Sequence, residues 1–379
     1  MSQSMWNDEQ SQPIQHLRVI DMTVMLTGPF LTRLMAQYGA EVIKIEKLPE
    51  GDHLRRPEYQ GIFELLNQGK KSFAVNLDKE EGVEIVRKMA AEADVFVENF
   101  RDGVMDRLGL GYSDLSEDNP DLIYLSLRGF GGQMTTRSGH DLNFISASGV
   151  GEWFLEGGPN YSTQFGDIIG GVLSPLIKLL MHLSNHNRRG MHLISHMDEG
   201  FRTLYLPRAY EMVKAEQVPD DLRKNFESWK IFNGQQPHSR YYRCRDNQWV
   251  SLQAVQLKHW ETFCEVVDRQ EWKSRHTDPL LISDLEKLFS DAPASYWEAL
   301  SGNRDVCLIR VVPWNEFLSF SQIRSQLNSD PLTWAGYLPN TQLLACPSLG
   351  KDTLTLGHSV GLNNQQLSKL LAEGVLGQR

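Results

Sequence analysis

LRVIDMTVMLTGPFLTRLMAQYGAEVIKIEKLPEGD, residues 17 to 52, decides the fold of this chain. LRVIDM (17 to 22) and EVIKIE (41 to 46) are short apolar runs rich in β-branched residues, as strands require, and a helix-period stretch joins them. Thr27-Gly28-Pro29 marks the turn into a helix that continues through about Gln37. Pro29 suits the first helical position, where its missing N–H is not needed. Strand, helix and strand in so short a span form the βαβ unit of a parallel sheet.

The pattern repeats outward. SFAVNL (72 to 77) predicts a third strand, followed by an amphipathic helix over about 79 to 91. DVFVEN (94 to 99) and LIYLSLRGF (122 to 130) supply two more strands. Five strands joined mostly by helical stretches predict an α/β fold with a Rossmann-like, doubly wound large domain. The turn MTVMLTGPF (22 to 30) lacks the GxGxxG spacing that brings a pyrophosphate onto a helix N-terminus, which disfavours NAD or FAD. Residues 160 to 200 hold a long helix pattern after Gly166-Asp167, the polar turn NHNRRG and a strand in MHLISHMD. Beyond about 205 charged and aromatic residues rise, and RYYRCRD and QWVSLQAV read as short strands between helices. The expected division is a large domain over 1 to 205, with 331 to 379 returning to it, and a smaller α+β domain over 206 to 330.

At 379 residues and 41% hydrophobic content the chain is long enough for two domains. A formal net charge of -10 leaves no global basic field, so nonspecific nucleic-acid binding lacks its main driving term. Bound anions must instead meet local clusters of donors. No stretch reads as the roughly 20 apolar residues of a bilayer span, and the polar opening MSQSMWNDEQSQPIQ is unlike a signal peptide. The expectation is a cytoplasmic protein with no membrane partner. Cys244, Cys264, Cys307 and Cys346 have no paired spacing, and the histidines form no metal-ligand motif. No metal is expected in the mechanism.

Several segments together resemble the class III CoA-transferases, the CaiB/BaiF family, with the α-methylacyl-CoA racemase branch the nearest. They are the opening run 17 to 52, then NQGKKSFAVNL, DVFVENFRDGVMDRLGLGY, NPDLIYLSLRGFG, SGHDLNFISASG, FGDIIGG and the closing GHSVGLNNQQLSKLLAEGVLG, in that order. The resemblance implies an interlocked homodimer, an acyl-CoA substrate and no permanently bound cofactor, with coenzyme A present only as part of the substrate. Asp167 stands where the family has its catalytic aspartate. His140 in Gly139-His140-Asp141 resembles the racemase branch, whose matching histidine is one of two proton-transfer groups. Asp141 is expected to support this pair or to cap the helix that follows.

The chemistry leaves two reactions open. Racemisation at an α-carbon needs a base on one face and an acid on the other, and an imidazole with a carboxylate is a workable pair. A CoA-transferase would instead use Asp167 as a nucleophile on the thioester carbonyl, through an acyl-aspartyl anhydride. The backbone N–H groups of Gly166 and Asp167, at a helix start, are candidate donors to an oxyanion. The phosphates of CoA need fixed cations at the mouth of the sheet. By motif position these are Lys47, Lys70, Lys71 and Arg101, with Asn99 and Gly103 near the pantetheine arm. Departures from the family are the neutral Gln256 where the racemases carry a glutamate, the flank GGQMTTRSGHD, and His196-Met197-Asp198-Glu199-Gly200. They motivate a third possibility, a catalytically weak CoA-binding member of the family.

Overall fold

The computed structural model describes residues 13–135, 137, 139–148, 164–185, 189–206, 210, 213–214, 216, 235–302, 304–313, 316 and 344–378. The polar opening before residue 13, the centre of the NHNRRG turn and the expected boundary at 330 lie outside them. The chain divides into two compact units. One comprises Met1–Gly151, Tyr161–Thr203 and Ser325–Arg379; the other comprises Glu152–Asn160 and Leu204–Arg324.

The first unit is built on β1 (Arg18–Asp21), β2 (Glu41–Lys47), β3 (Lys71–Val75), β4 (Val95–Glu98), β5 (Ile123–Arg128) and β6 (Met191–His196). They run parallel in the order β3-β2-β1-β4-β5-β6, and a tail strand, Leu376–Gly377, pairs antiparallel with β3. Helices α1 (Thr27–Gln37), α2 (Gln60–Asn67), α3 (Glu80–Ala91), α4 (Val104–Arg107) and α5 (Tyr112–Asp118) fall between the strands. Pro29 is the third residue of α1 rather than the first, still among the N–H positions that no helix satisfies.

Period-two alternation places successive strand residues in two cores, as a sheet covered on both faces requires. Ile20, Ile43, Phe73, Phe96 and Tyr124 pack with α3 and with the tail residues Leu356, Leu367 and Val375. Val19, Val42, Val95, Ile123 and Leu125 pack with Leu31, Leu34 and Met35 of α1. The tail helix Asn364–Ala372 begins on a reciprocal cap, with Asn363 Oδ1 accepting from Gln366 N and Gln366 Oε1 from Asn363 N, both at 2.9 Å.

The second unit carries an antiparallel sheet of β7 (Ser239–Arg243), β8 (Trp249–Gln253) and β9 (Leu308–Arg310). Val250 and Leu252 of β8 alternate into a core with Trp260, Phe263, Phe289 and Trp297, and Trp249 and Gln253 are exposed. The fold of the chain is therefore α/β, a mostly parallel sheet with helices.

At the carboxyl ends of β1 and β2 the interior is charged. Lys70 Nζ donates to Asp21 Oδ2, the Pro29 carbonyl and Asn67 Oδ1, each at 2.9 Å. Lys44 Nζ lies 2.9 Å from both the Thr23 carbonyl and Asp52 Oδ2. Burial alone would raise the Asp21 carboxyl; Lys70, Lys44 and the hydroxyls of Thr23 and Thr32 outweigh it and hold it below the usual carboxylate range. Burial pushes Lys70 down to about 8, against the pull of Asp21. Lys70→Met would leave Asp21 charged in a dry site and should lower the stability of this unit by about 3 to 5 kcal/mol. Adding Asp21→Asn should recover most of the loss, read as the denaturation midpoints of the two variants.

Candidate active site

The strand order reverses between β1 and β4, which opens a crevice beyond the carboxyl ends of the strands. A cavity of about 520 Å³ lies there, lined by Met22, Val24, Lys47, His53, Phe100 and Arg107 among others. Its floor includes Lys44 and Asp52 of the charged network. Asn99 shapes the rim: its side chain accepts from Val24 N at 3.0 Å and donates to the Val24 carbonyl at 2.8 Å. Gly103 precedes α4 with φ +76, a left-handed conformation that favours glycine. Arg101 is exposed beyond the end of β4.

The expected cations divide by position. Lys47 ends β2, lines the cavity and pairs with Asp78 at 2.9 Å, both side chains being exposed. Lys70 is not a phosphate ligand, because its ammonium has three donors and all three are held by protein oxygens inside the unit. Lys71 opens β3 and pairs with Glu41, which opens β2. It therefore sits at the amino edge of the sheet, opposite the crevice. Motif position does not point to Arg107, the last residue of α4; the structure puts it on the cavity wall.

His140, Asp141 and Asp167 come together beyond β5. His140 precedes α6 (Asp141–Ala147), and its N–H donates to Asn143 Oδ1 at 3.0 Å. The imidazole is exposed and makes no hydrogen bond among the described residues. Asp167 lies in α7 (Phe165–Ile168), which continues through a π-helical turn, Ile169–Leu173, into α8 (Ser174–Leu183). Such turns within a helix occur often at functional sites. Asp141 Oδ1 accepts from Asp167 N at 2.9 Å and locks α6 onto α7. That N–H is consequently not available to an oxyanion. Gly166 is buried against Asp141, where a Cβ would come within 3.0 Å of the Asp141 carbonyl oxygen, so it permits the close approach of the two helices.

Burial pushes the Asp167 carboxyl up to about 6, the charge of Asp141 adds to the rise, and His140 opposes it. No lysine or arginine pairs with it among the described residues. The position is set from below by close backbone contacts. A Cβ at Gly170 would fall 2.1 Å from the Met197 carbonyl oxygen, and one at Gly171 would fall 2.6 Å from the Thr27 methyl carbon at the start of α1. Met197 opens α9 (Met197–Phe201). The next residue, Asp198, is fully buried; it accepts from Gly131 N at 3.0 Å and from Arg202 at 2.9 Å, tying the loop after β5 to α9. In the sequence Asp198 stands out only as part of a divergent motif. Phe130, Phe144 and Met197 form the apolar floor. Gln256 belongs to the second unit, where its carbonyl accepts from the N–H of His259 and Trp260.

The profile of CoA-transferase family III matches residues 14–342. The chain is 26% identical to mouse α-methylacyl-CoA racemase over 96% of its own length and 97% of the relative's. It is 24% identical to (R)-2-hydroxy-4-methylpentanoate CoA-transferase of Clostridioides difficile, over 94% and 97%. It is 31% identical to succinyl-CoA:mesaconate CoA-transferase of Haloarcula marismortui, over 70% of each. Among solved structures, a CaiB/BaiF family protein from Brucella suis superposes with a TM-score of 0.69 at 20% identity, covering 93% of this chain and all of that one. An orthorhombic structure of a Mycobacterium tuberculosis protein gives 0.72 at 23% identity, over 91% and 99%. With the profile matching most of the chain, and both racemase and transferase relatives aligned nearly end to end, this protein belongs to CoA-transferase family III.

Proposed function

We infer that the protein is an acyl-CoA racemase or epimerase in which Asp167 and His140 exchange a proton with the carbon beside the thioester. One of them takes the α-proton, leaving an enolate conjugated with the thioester carbonyl, and the other returns a proton to the opposite face. The observation that carries this is the state of Asp167: half-buried, without a cationic side-chain partner among the described residues, and raised to about 6 beside an unengaged imidazole. A carboxyl near neutrality both accepts and releases a proton at physiological pH, whereas one pinned by an arginine would do neither. The thioester's CoA moiety is assigned to the crevice cavity, with Lys47 and Arg107 as the phosphate cations and Met22, Val24 and Phe100 as apolar wall. The cytoplasm is the proposed location.

A second possibility is a CoA-transferase, favoured by the two transferase relatives and by the absence of any hydrogen-bond donor on the Asp167 carboxylate among the described residues. Here an Asp167 oxygen attacks the thioester carbonyl, the acyl-aspartyl anhydride forms and CoA thiolate leaves.

A homodimer is supported by an apolar face. Phe165–Leu183, contrary to the expectation from sequence, is long and apolar enough by length and composition to cross a membrane, yet only a third of it is buried. Ile177, Leu180 and Met181 are 57, 49 and 70% exposed, and Met191 and Ile194 of the edge strand β6 are exposed as well. A sheet edge that no described strand covers, beside such a face, is a liability that a second copy would remove.

In deuterated water an α-methyl acyl-CoA should exchange its α-hydrogen. Asp167→Asn and His140→Ala should each slow this by at least about a hundredfold. Arg107→Ala should raise the KM and leave kcat in place. Exchange at the original rate in both site variants excludes the racemase; a hydroxamate formed at Asp167 by hydroxylamine after acyl-CoA addition, with no exchange, identifies the transferase.

The rate should rise with pH through a midpoint of about 6 as Asp167 ionises. Asp141→Asn removes a neighbouring negative charge while keeping an acceptor for Asp167 N, so that limb should move to lower pH. An unmoved limb would show that Asp167 is not the group titrating.

Ile177→Glu with Met181→Glu should convert a dimer to a monomer in light scattering after gel filtration. A monomeric parent protein would refute the dimer.

A further inference from the structure

The second unit gathers three ligand-type side chains outside the site described above. His259 lies in the first turns of the helix Leu257–Val266, and Asp305 and Cys307 flank buried Val306 just before β9. A ring nitrogen of His259, a carboxylate oxygen of Asp305 and Sγ of Cys307 all lie within 4.8 Å of one another. His259 Nδ1 is 3.3 Å from Asp305 Oδ2 and 2.9 Å from the Asp305 carbonyl oxygen, so backbone and side chain of one residue fix the ring. A tetrahedral zinc ion at about 2.0 to 2.3 Å from its ligands spaces them about 3.3 to 3.6 Å apart. The cluster therefore needs a contraction of about an ångström, within reach of side-chain rotation.

We propose that His259, Asp305 and Cys307 form a binding site for one zinc-class divalent cation on the surface of the second unit. The donor set selects the ion. Nitrogen, oxygen and thiolate together suit a borderline cation, whereas magnesium and calcium take oxygen alone. Three protein ligands leave a fourth position for water. Cys307 is exposed, unlike the buried Cys244 and Cys264, and its backbone holds φ +52, the left-handed region that a Cβ-bearing residue rarely adopts. A bond to Sγ would hold the residue in that conformation. On capture the sulfur–metal bond forms, the thiol proton passes to solvent and no electron is transferred. Lys258 Nζ, 3.8 Å from Asp305 Oδ2 and exposed, is the cation that the metal displaces. Bound metal would clip the segment entering β9 to the helix Leu257–Val266, a link between elements 48 positions apart (259 to 307) that no spacing motif reveals.

The test uses the full-length protein, stripped with a chelator and titrated with cobalt(II), then with zinc. Saturable binding of one cobalt per chain, with a thiolate-to-cobalt charge-transfer band that zinc removes, is the expected result. Cys307→Ser should abolish the band, and Asp305→Asn, a conservative surface change, should weaken zinc binding at least about tenfold. Circular dichroism of each variant checks that it is folded. No saturable binding at millimolar metal, or a band that survives Cys307→Ser, overturns the site.

Discussion

Two ion pairs in a dry interior, Asp21 with Lys70 and Lys44 with Asp52, govern the geometry of the first unit. Neither pair can be broken cheaply, because a lone charge at these positions would lose its hydration without compensation. Together they tie the ends of β1 and β2 to the loop after β2, to Asn67 and to the first turn of α1 through the Pro29 carbonyl. Thr27, at the start of that helix, is the surface against which Gly171 packs. The charged network thus acts through α1 on the helical run that carries Asp167, although it touches neither His140 nor Asp167.

The buried carboxylates differ in the charges that face them. Burial would raise Glu46, but Arg55 and Lys44 outweigh it and hold it low, as the lysines do for Asp21. Burial raises Asp167, and its charged neighbour Asp141 adds to the rise, with no lysine or arginine among the described residues to offset it. Asp167 stands just before the π-helical turn Ile169–Leu173, which glycine contacts brace on two sides. Asp141 contributes twice, by fixing the backbone of Asp167 and by lifting its affinity for a proton.

Much of the large unit was legible in residues 17 to 130, because a parallel sheet buried on both faces leaves near-continuous apolar runs separated by helical periods. His140 and Asp167 were found through ordered motifs, and the structure brings their elements together. The cations were harder. Motif position grouped Lys47, Lys70 and Lys71, yet one lines the crevice, one is sealed in the interior and one lies at the far edge of the sheet. Lys70 stands in the loop just before β3 and Lys71 is its first residue, and spacing along the chain does not say which end of the sheet either side chain reaches.

What the sequence determined by itself was the order of strands and helices, the family resemblance and the candidates for the reactive side chains, since these depend on local pattern. Only the tertiary structure decided which charges neutralise one another, that the Asp167 N–H is committed to Asp141, and that His259, Asp305 and Cys307 meet. Those outcomes depend on distances between segments far apart in the chain and on the exclusion of water around them, neither of which is encoded in spacing.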